Sequence, residues 1–186
     1  MPSLKHISWE RVDREGSVIY PADGPDVPGN EIVFTSGFPT SDGRGRIVPA
    51  DLLPPDEVPD ADYPLVLTTG RMLEHWHTGA MTRRAGVLDA IEPQGIAAMN
   101  PYEIERQKLA PGDMITVETR RGTVEAILRA DREVADGMVF MPFCFNESPA
   151  NVLTNPMLDP YGKIPEFKYC AARVAAAPQR RVERSE

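Results

Sequence analysis

The chain has 186 residues, enough to bury one hydrophobic core and carry an additional extended segment. Its formal net charge of −8 argues against a general nucleic-acid-binding role, because no basic face is evident. No apolar run approaches the roughly 20 residues that a membrane-spanning helix needs. The start, Met1 to Lys5, lacks the apolar segment of a secretory signal, so we expect a cytoplasmic protein without a membrane span.

Residues 1–62 are predicted to form a proline-rich, extended arm that leads into the main domain. They contain nine of the 19 prolines, and these fix backbone φ angles and remove amide donors. A long helix or a central strand is therefore excluded in this part of the chain. The acidic, proline-rich stretch 52–62 is typical of a connector. Short strands are predicted at residues 17–20, 31–35 and 46–48.

Residues 63–178 are predicted to form a compact β-rich domain. It begins with the apolar run Leu65–Leu67, which is typical of a buried strand because it is short and contains a β-branched residue. Asn100 and Pro101 predict a helix start, since Asn caps helices and Pro is tolerated at the first helical position. Further elements are predicted as helical turns at 85–91, an apolar run at 96–99, strands at 114–119, 124–128, 138–141 and 163–174, and a frayed tail at 179–186.

The polar segment from Thr68 to Arg84 directly follows the first predicted strand. It contains two of the three histidines, a tryptophan, a Thr-Gly pair and three arginines. A strand that delivers Thr, Gly and Arg at its end can build a small-molecule site, because glycine admits close approach and hydroxyls and arginine bind phosphate. A surface loop with solvated arginines is the alternative. The charged hairpin tip Arg120-Arg121 is likewise expected to be solvated.

A second polar segment, Met141 to Pro160, follows another predicted strand and contains three asparagines. Their side chains offer both donors and acceptors, which suits recognition of a purine edge or a pterin ring. The alternative is that they cap turns, since Asn155-Pro156 and Asp159-Pro160 are typical turn starters.

Several chemical motifs are absent from the sequence. It contains no glycine-rich phosphate loop, no H-E-x-x-H and no G-x-S-x-G. Cys144 and Cys170 have no metal-ligand spacing and are expected to be buried and reduced. His75 and His77 lack a third ligand in view, so we predict no protein-held metal. No nucleophile–base pair is evident either, so we predict no catalytic residue.

Four segments together resemble the C-terminal domain of the large subunit of molybdenum- or tungsten-dependent formate dehydrogenases. Arg71–Arg84 resembles the family's signature at the dinucleotide site, and Ser148–Pro160 with Ile164–Val174 resembles its closing stretch. Phe38 to Pro64 resembles the segment that leads into that domain. The resemblance implies a mainly β fold with a few short helices, a double-psi β-barrel of the formate dehydrogenase/aspartate decarboxylase type.

The resemblance further implies that the barrel closes over one side of a bis(molybdopterin guanine dinucleotide) cofactor containing molybdenum or tungsten. Arg71 and Lys168 suit phosphate charge, and His77 and Asn151 can hydrogen-bond pterin or guanine edges. The implied cofactor-binding residues are Thr69, Arg71, Met72, His75, His77, Thr78 and Gly79 on a first wall, and Phe143, Asn151, Phe167 and Lys168 on a second.

In that family the large subunit is several times longer, and its metal ligand, substrate residues and iron–sulfur cysteines lie upstream of the matched segments. The resemblance therefore implies a domain or separately encoded subunit that is not catalytic alone. Its expected partners are the rest of the large subunit and the electron-transfer subunits. Two alternatives are a small dinucleotide-binding subunit of another enzyme, such as formylmethanofuran dehydrogenase, and a non-enzymatic assembly module.

Overall fold

The structure is a computed structural model that describes residues 4–178. The backbone of these residues forms two compact units, which divide between Leu52 and Leu53. The acidic stretch 53–62 therefore groups with the second unit rather than with the arm. The predicted frayed tail, 179–186, lies outside the described residues.

The first unit begins with a short helix that the sequence analysis missed, α1 (Trp9–Glu15). Ser8 caps it by accepting from the Arg11 amide, and Gly16 ends it with a φ of 74°. The buried Arg11 guanidinium donates to the carbonyl oxygens of Gly24 at 2.9 Å and Val27 at 2.7 Å. The helix thus folds back against the segment that follows it.

The strands predicted at 17–20, 31–35 and 46–48 are wrong, because these residues form bends and irregular backbone in the structure. Prolines at 21, 25 and 28 interrupt the segment and remove the amide donors that a strand ladder needs.

Within residues 4–178, six strands of the second unit close into a barrel with the order β1-β5-β2-β4-β3-β6. This confirms the predicted mainly β, double-psi barrel class. The strands are β1 (Leu65–Gly70), β2 (Ile96–Met99), β3 (Met114–Thr119), β4 (Gly122–Ala130), β5 (Met138–Pro142) and β6 (Cys170–Ala176).

The helices of this unit are short. They are α2 (Gly86–Ile91) and α3 (Pro101–Arg106), with 3-10 turns at Thr82–Arg84 and Ala150–Val152. Asn100 caps α3 by accepting from the Tyr102 amide at 3.0 Å, as predicted. No helix in the described range is long and apolar enough to cross a lipid bilayer.

The barrel interior is filled by the alternate residues that the sequence pattern indicates. Ile115 and Val117 on β3 are fully buried, and they face Val124, Ala126 and Leu128 on β4. Such period-two alternation places one face of each strand in the core. The predictions for β3, β4 and β5 are therefore confirmed.

The last strand was predicted at 163–174 but begins only at Cys170. The Asp159 carboxylate accepts from the amides of Tyr161, Gly162 and Ile164, which holds a turn in place of extended backbone. Residues 159–169 therefore remain a loop.

The prediction that Arg120 and Arg121 are solvated holds for Arg120, whose side chain is 40% exposed, and is wrong for Arg121, whose side chain is 23% exposed. Both guanidinium groups pair with the Glu57 carboxylate, and Arg120 also pairs with Asp60. The carboxylate partners lie 60 to 64 residues away in sequence and give no local signal, so the hairpin tip alone predicted solvent contact for both arginines.

Leu67→Ala tests the packing of the barrel, because the Leu67 side chain is fully buried. We expect the free energy of unfolding to fall by about 3 kcal/mol through lost burial and a residual cavity. Leu53→Ala is the matched control, since Leu53 is 82% exposed and its truncation costs little. Urea unfolding followed by circular dichroism measures both, and equal losses would contradict this assignment of the core.

Candidate functional site

The two polar segments start side by side at one end of the barrel. β1 and β5 are parallel neighbours with Gly70 opposite Pro142, so their carboxyl ends lie at the same edge. The Phe143 amide donates to the Gly70 carbonyl at 3.2 Å, at the point where both strands end. We call residues 71–85 the first loop and residues 143–169 the second loop.

Gly79 and Met72 form the buried contact between the two loops. Gly79 has a φ of 73°, and a Cβ there would lie 2.6 Å from Arg83 Cγ and 2.8 Å from the Cys144 oxygen. The Met72 sulfur lies 3.5 Å from Cys144 Sγ. Both predicted site residues therefore lie between the loops, where they hold the two loops against each other.

The structure places His75 in the interior, with no exposed surface. Its Nε2 lies 2.7 Å from the Glu92 carbonyl oxygen, which can only accept, so Nε2 carries the proton. Nδ1 then has an acceptor lone pair with no partner among the described residues. The ring also meets Phe145 edge-on, with centroids 5.5 Å apart. His75 thus anchors the first loop to the protein interior, and its ring offers no surface to a ligand.

The exposed residues of the first loop include Arg71, Trp76 and Thr78, and His77 is half-exposed. The Arg71 guanidinium lies 5.9 Å from the centre of the Trp76 ring, and the His77 ring meets Trp76 edge-on at 4.4 Å. His77 has a φ of 49°, in the left-handed region that non-glycine residues seldom occupy. The loop therefore presents a cation beside two flat rings.

The end of the second loop is tied to the end of β1. Thr69 Oγ1 donates to the Phe167 carbonyl at 2.9 Å, and Lys168 Nζ donates to the Thr69 carbonyl at 2.9 Å. The Lys168 ammonium lies 5.4 Å from the centre of the Phe167 ring. These bonds bring Phe167 and Lys168 to the edge where Arg71 begins the first loop. Phe143, half-buried at the start of the second loop, packs against the core.

Asn151 lies apart from these contacts, in the 3-10 turn Ala150–Val152. A Cβ at Gly122 would lie 2.6 Å from Val152 Cγ1, so this turn covers the β3–β4 hairpin tip. Because β3 runs antiparallel to β6, which runs antiparallel to β1, that tip lies at the same end of the barrel as the two loops. The Asn151 side chain is exposed and has no hydrogen-bond partner in the described part of the chain.

Asn155, by contrast, is a structural residue. Its buried side chain accepts from the Met157 amide at 3.0 Å and donates to the Tyr169 carbonyl at 3.1 Å. The turn-capping alternative is therefore confirmed at this position.

Arg83 joins the two loops and was not among the predicted site residues. Its guanidinium pairs with Asp89 at 2.6 Å and with Glu147 of the second loop at 2.9 Å. It also lies 4.7 Å from the centre of the Phe145 ring. The hydrogen bond to Glu147 raises the pKa of Arg83 above its ordinary value, so the guanidinium stays charged. Only the repeated arginine, Arg83-Arg84, gave a sequence signal for this link.

A cavity of about 190 Å³ lies between the loops beside Arg83. Thr78, Arg84 and Asn146 are among the residues that line it. It is predominantly polar, so it suits a hydrogen-bonding group better than an aliphatic one.

Comparison with known proteins agrees with this geometry. Residues 65–171, which include strands β1 to β5 and the first two residues of β6, match the family model of the molydopterin dinucleotide binding domain. The chain belongs to this family. Acetylene hydratase from Pelobacter acetylenicus has a similar fold, with a TM-score of 0.56 and 20% identity over 62% of this chain and 19% of that protein.

Two curated relatives extend the match beyond the molydopterin dinucleotide binding domain itself. The alpha subunits of F420-dependent formate dehydrogenase 1 of Methanococcus maripaludis and of the F420-dependent formate dehydrogenase of Methanocaldococcus jannaschii are each 39% identical to the chain over 173 residues. The match covers 93% of this chain and 26% of each relative, so the chain spans about a quarter of their length.

The residues at the loop edge fit a dinucleotide. Arg71, Arg84 and Lys168 have no carboxylate within 4.0 Å among the described residues, whereas Arg83 has two. Cations without a carboxylate partner are suited to phosphate. The Trp76 and Phe167 rings beside them offer apolar surface to a flat ring system. The molydopterin dinucleotide binding domain therefore presents both chemistries that its family's ligand requires.

Gly79→Ala tests the contact between the loops. A Cβ at this position meets both Arg83 and Cys144, and the φ is unfavourable for alanine, so we expect the free energy of unfolding to fall by roughly 1–3 kcal/mol. Gly86→Ala is the control, because no atom lies within 4 Å of that Cβ position. Thermal unfolding compares the two variants, and a Gly79→Ala variant as stable as Gly86→Ala would refute the contact.

Thiol labelling tests the buried position of Cys144. Burial raises the pKa of the Cys144 thiol to about 11, so the folded chain keeps it protonated and unreactive at pH 8. Stability from this group is complete below its ordinary pKa of 9.0 and is lost as the pH rises towards 11, since the unfolded thiol ionises first. Ellman's reagent should react slowly with the native chain and fast in urea, and Cys144→Ser identifies the thiol. Fast labelling of Cys144 in native buffer would contradict the burial.

Proposed function

We propose that the chain holds one side of a bis(molybdopterin guanine dinucleotide) cofactor as the C-terminal domain of a formate dehydrogenase alpha subunit. The observation that carries this proposal is the convergence of the two loops at the carboxyl ends of β1 and β5. The 39% identity to two formate dehydrogenase alpha subunits favours this enzyme over formylmethanofuran dehydrogenase or an assembly module.

In the proposed site, charged side chains bind the phosphate groups of the ligand and aromatic side chains contact its rings. Arg71 and Lys168 bind the phosphate groups, and the bond from Lys168 Nζ to the Thr69 carbonyl fixes where that charge sits. Trp76 and Phe167 cover flat ring surface. His77 and Asn151 donate to or accept from ring edges, and Thr78 adds a hydroxyl. In this proposal the remaining predicted residues hold the two loops in position for the ligand. They are Thr69, Met72, His75, Gly79 and Phe143.

When bound, the metal of the cofactor supplies the redox chemistry of formate oxidation to CO₂. The chain contributes binding and orientation to that reaction. Within residues 4–178, no group of three or more His, Cys, Asp or Glu side chains could hold a metal ion. We assign the metal ligand and the formate-binding residues to the rest of the alpha subunit, because the chain spans only about a quarter of the length of these relatives. We further propose that the assembled enzyme includes electron-transfer subunits and lies in the cytoplasm.

Titration of the isotopically labelled chain with isolated molybdopterin guanine dinucleotide tests the grip. We expect chemical-shift changes at His77, Asn151 and Lys168, and none at the far end of the barrel, such as at Arg132. A folded chain in which none of the three loop residues responds would rule the proposal out.

Lys168→Gln tests the phosphate contact. A charge-assisted hydrogen bond contributes about 1.5–3 kcal/mol, so we expect the dissociation constant for the dinucleotide to rise roughly tenfold or more. Lys163→Gln is the matched control, because it removes the same charge from the same loop, where the Lys163 ammonium donates to the Pro160 carbonyl. Calorimetric titration measures both constants, and equal effects would show that the chain attracts the anion only through its net charge.

A further inference from the structure

The hairpin tip Arg120-Arg121 lies between the acidic connector and the turn that carries Asn151. The Glu57 carboxylate pairs with both arginines, at 2.7 Å to Arg120 Nη1 and at the opposite oxygen to Arg121 Nη1. The Glu57 side chain is only 14% exposed, so this carboxylate is largely withdrawn from water. Partly buried pairs of this kind are screened less by salt than surface pairs.

Arg121 extends beyond this ion pair to the turn itself. Its Nη2 and Nε donate to the Leu153 carbonyl at 2.9 and 3.3 Å, and Thr119 Oγ1 donates to the same oxygen at 2.9 Å. Leu153 is fully buried and caps the 3-10 turn Ala150–Val152. Three donors therefore fix a carbonyl that lies two residues beyond Asn151.

Arg120 provides an internal comparison. It pairs with the same Glu57 carboxylate and with Asp60, and its guanidinium lies 4.6 Å from the centre of the Tyr63 ring. No hydrogen bond joins it to the turn in the described structure. Two adjacent arginines thus share one carboxylate, and only Arg121 reaches the backbone next to Asn151.

The connector also touches the other part of the second loop. The Asp56 amide donates to the Glu166 carboxylate at 3.2 and 3.3 Å, and the buried Asn155 side chain donates to the same carboxylate at 3.0 Å. Glu166 directly precedes Phe167 and Lys168. Neighbouring connector residues therefore contact both segments that present second-wall side chains.

We propose that Arg121, held by Glu57, is a positioning residue that fixes the Asn151 turn where its side chain meets the dinucleotide. The inference rests on the proposed function, because it gives Arg121 a role only if Asn151 contacts that ligand. Arg121 itself acts through the Leu153 carbonyl. A guanidinium suits this task since its planar fork can serve Glu57 and the carbonyl together, which an ammonium cannot do with the same geometry.

A double-mutant cycle on the full chain tests this role. Arg121→Lys keeps the charge beside Glu57 but loses the fork, so we expect the dissociation constant for molybdopterin guanine dinucleotide to rise roughly three- to tenfold. Arg120→Lys should change it less than about twofold. In an Asn151→Ala background, Arg121→Lys should add less than about twofold, because the side chain that it positions is gone.

The possible results separate the inference from the proposed function. If Asn151→Ala leaves the dissociation constant unchanged, the proposed contact between Asn151 and the dinucleotide is refuted. The positioning role of Arg121 is then refuted as well. If Asn151→Ala weakens binding and the two losses multiply, the grip stands and the positioning role of Arg121 is refuted. Equal effects of Arg121→Lys and Arg120→Lys refute it as well.

A second measurement applies without ligand and without changing Arg121. Glu57→Gln should shift the side-chain amide resonances of Asn151 in the free chain, because Arg121 loses its carboxylate anchor. Asp60→Asn is the control, since it removes only a partner of Arg120 and keeps the oxygen that caps the Tyr63 amide. Unmoved Asn151 resonances in a folded Glu57→Gln chain would overturn the coupling between connector and turn.

Discussion

The parallel pairing of β1 with β5 is the constraint on which the rest of the structure depends. Strands far apart in sequence become neighbours with the same direction, so their carboxyl ends deliver two polar loops to one edge. Gly70 makes the strand end compact, because a Cβ there would lie 2.5 Å from the Phe140 ring of β5. A closed barrel then holds both loop origins at a fixed separation, and small changes in loop sequence can alter the ligand contacts without altering the frame.

The first loop combines two tasks in adjacent residues. His75 points inward to the Glu92 carbonyl, while Trp76 and His77 face outward. The Trp76 amide is in turn held by Thr82 Oγ1 at 3.0 Å. Each exposed group therefore sits next to an internal anchor, so a loop with little regular structure still presents its side chains in one arrangement. Arg83 likewise anchors the first loop to the second loop, through its ion pair with Glu147.

The sequence predicted well what is local and periodic. Alternation in β3 and β4 and the Asn100 cap of α3 depend on neighbours within a few residues, and both were correct. The convergence of the two loops was predictable only through the family resemblance, since it depends on strand pairing. The burial of His75 and the pairing of Arg121 with Glu57 were missed because they depend on partners 17 and 64 residues away. The short helix α1 had readable caps, Ser8 and Gly16, which the proline content of the arm obscured.

The up-and-down directions of the strands also define an end of the barrel remote from both loops. The connection between β4 and β5 turns there, and Arg132 at its tip is exposed. Both native thiols, Cys144 and Cys170, are buried. A single cysteine introduced at Arg132 would consequently accept a maleimide fluorophore selectively, at a distance from the loops. The fold thus supplies an attachment point from which ligand association can be followed by fluorescence without obstructing the surface under study.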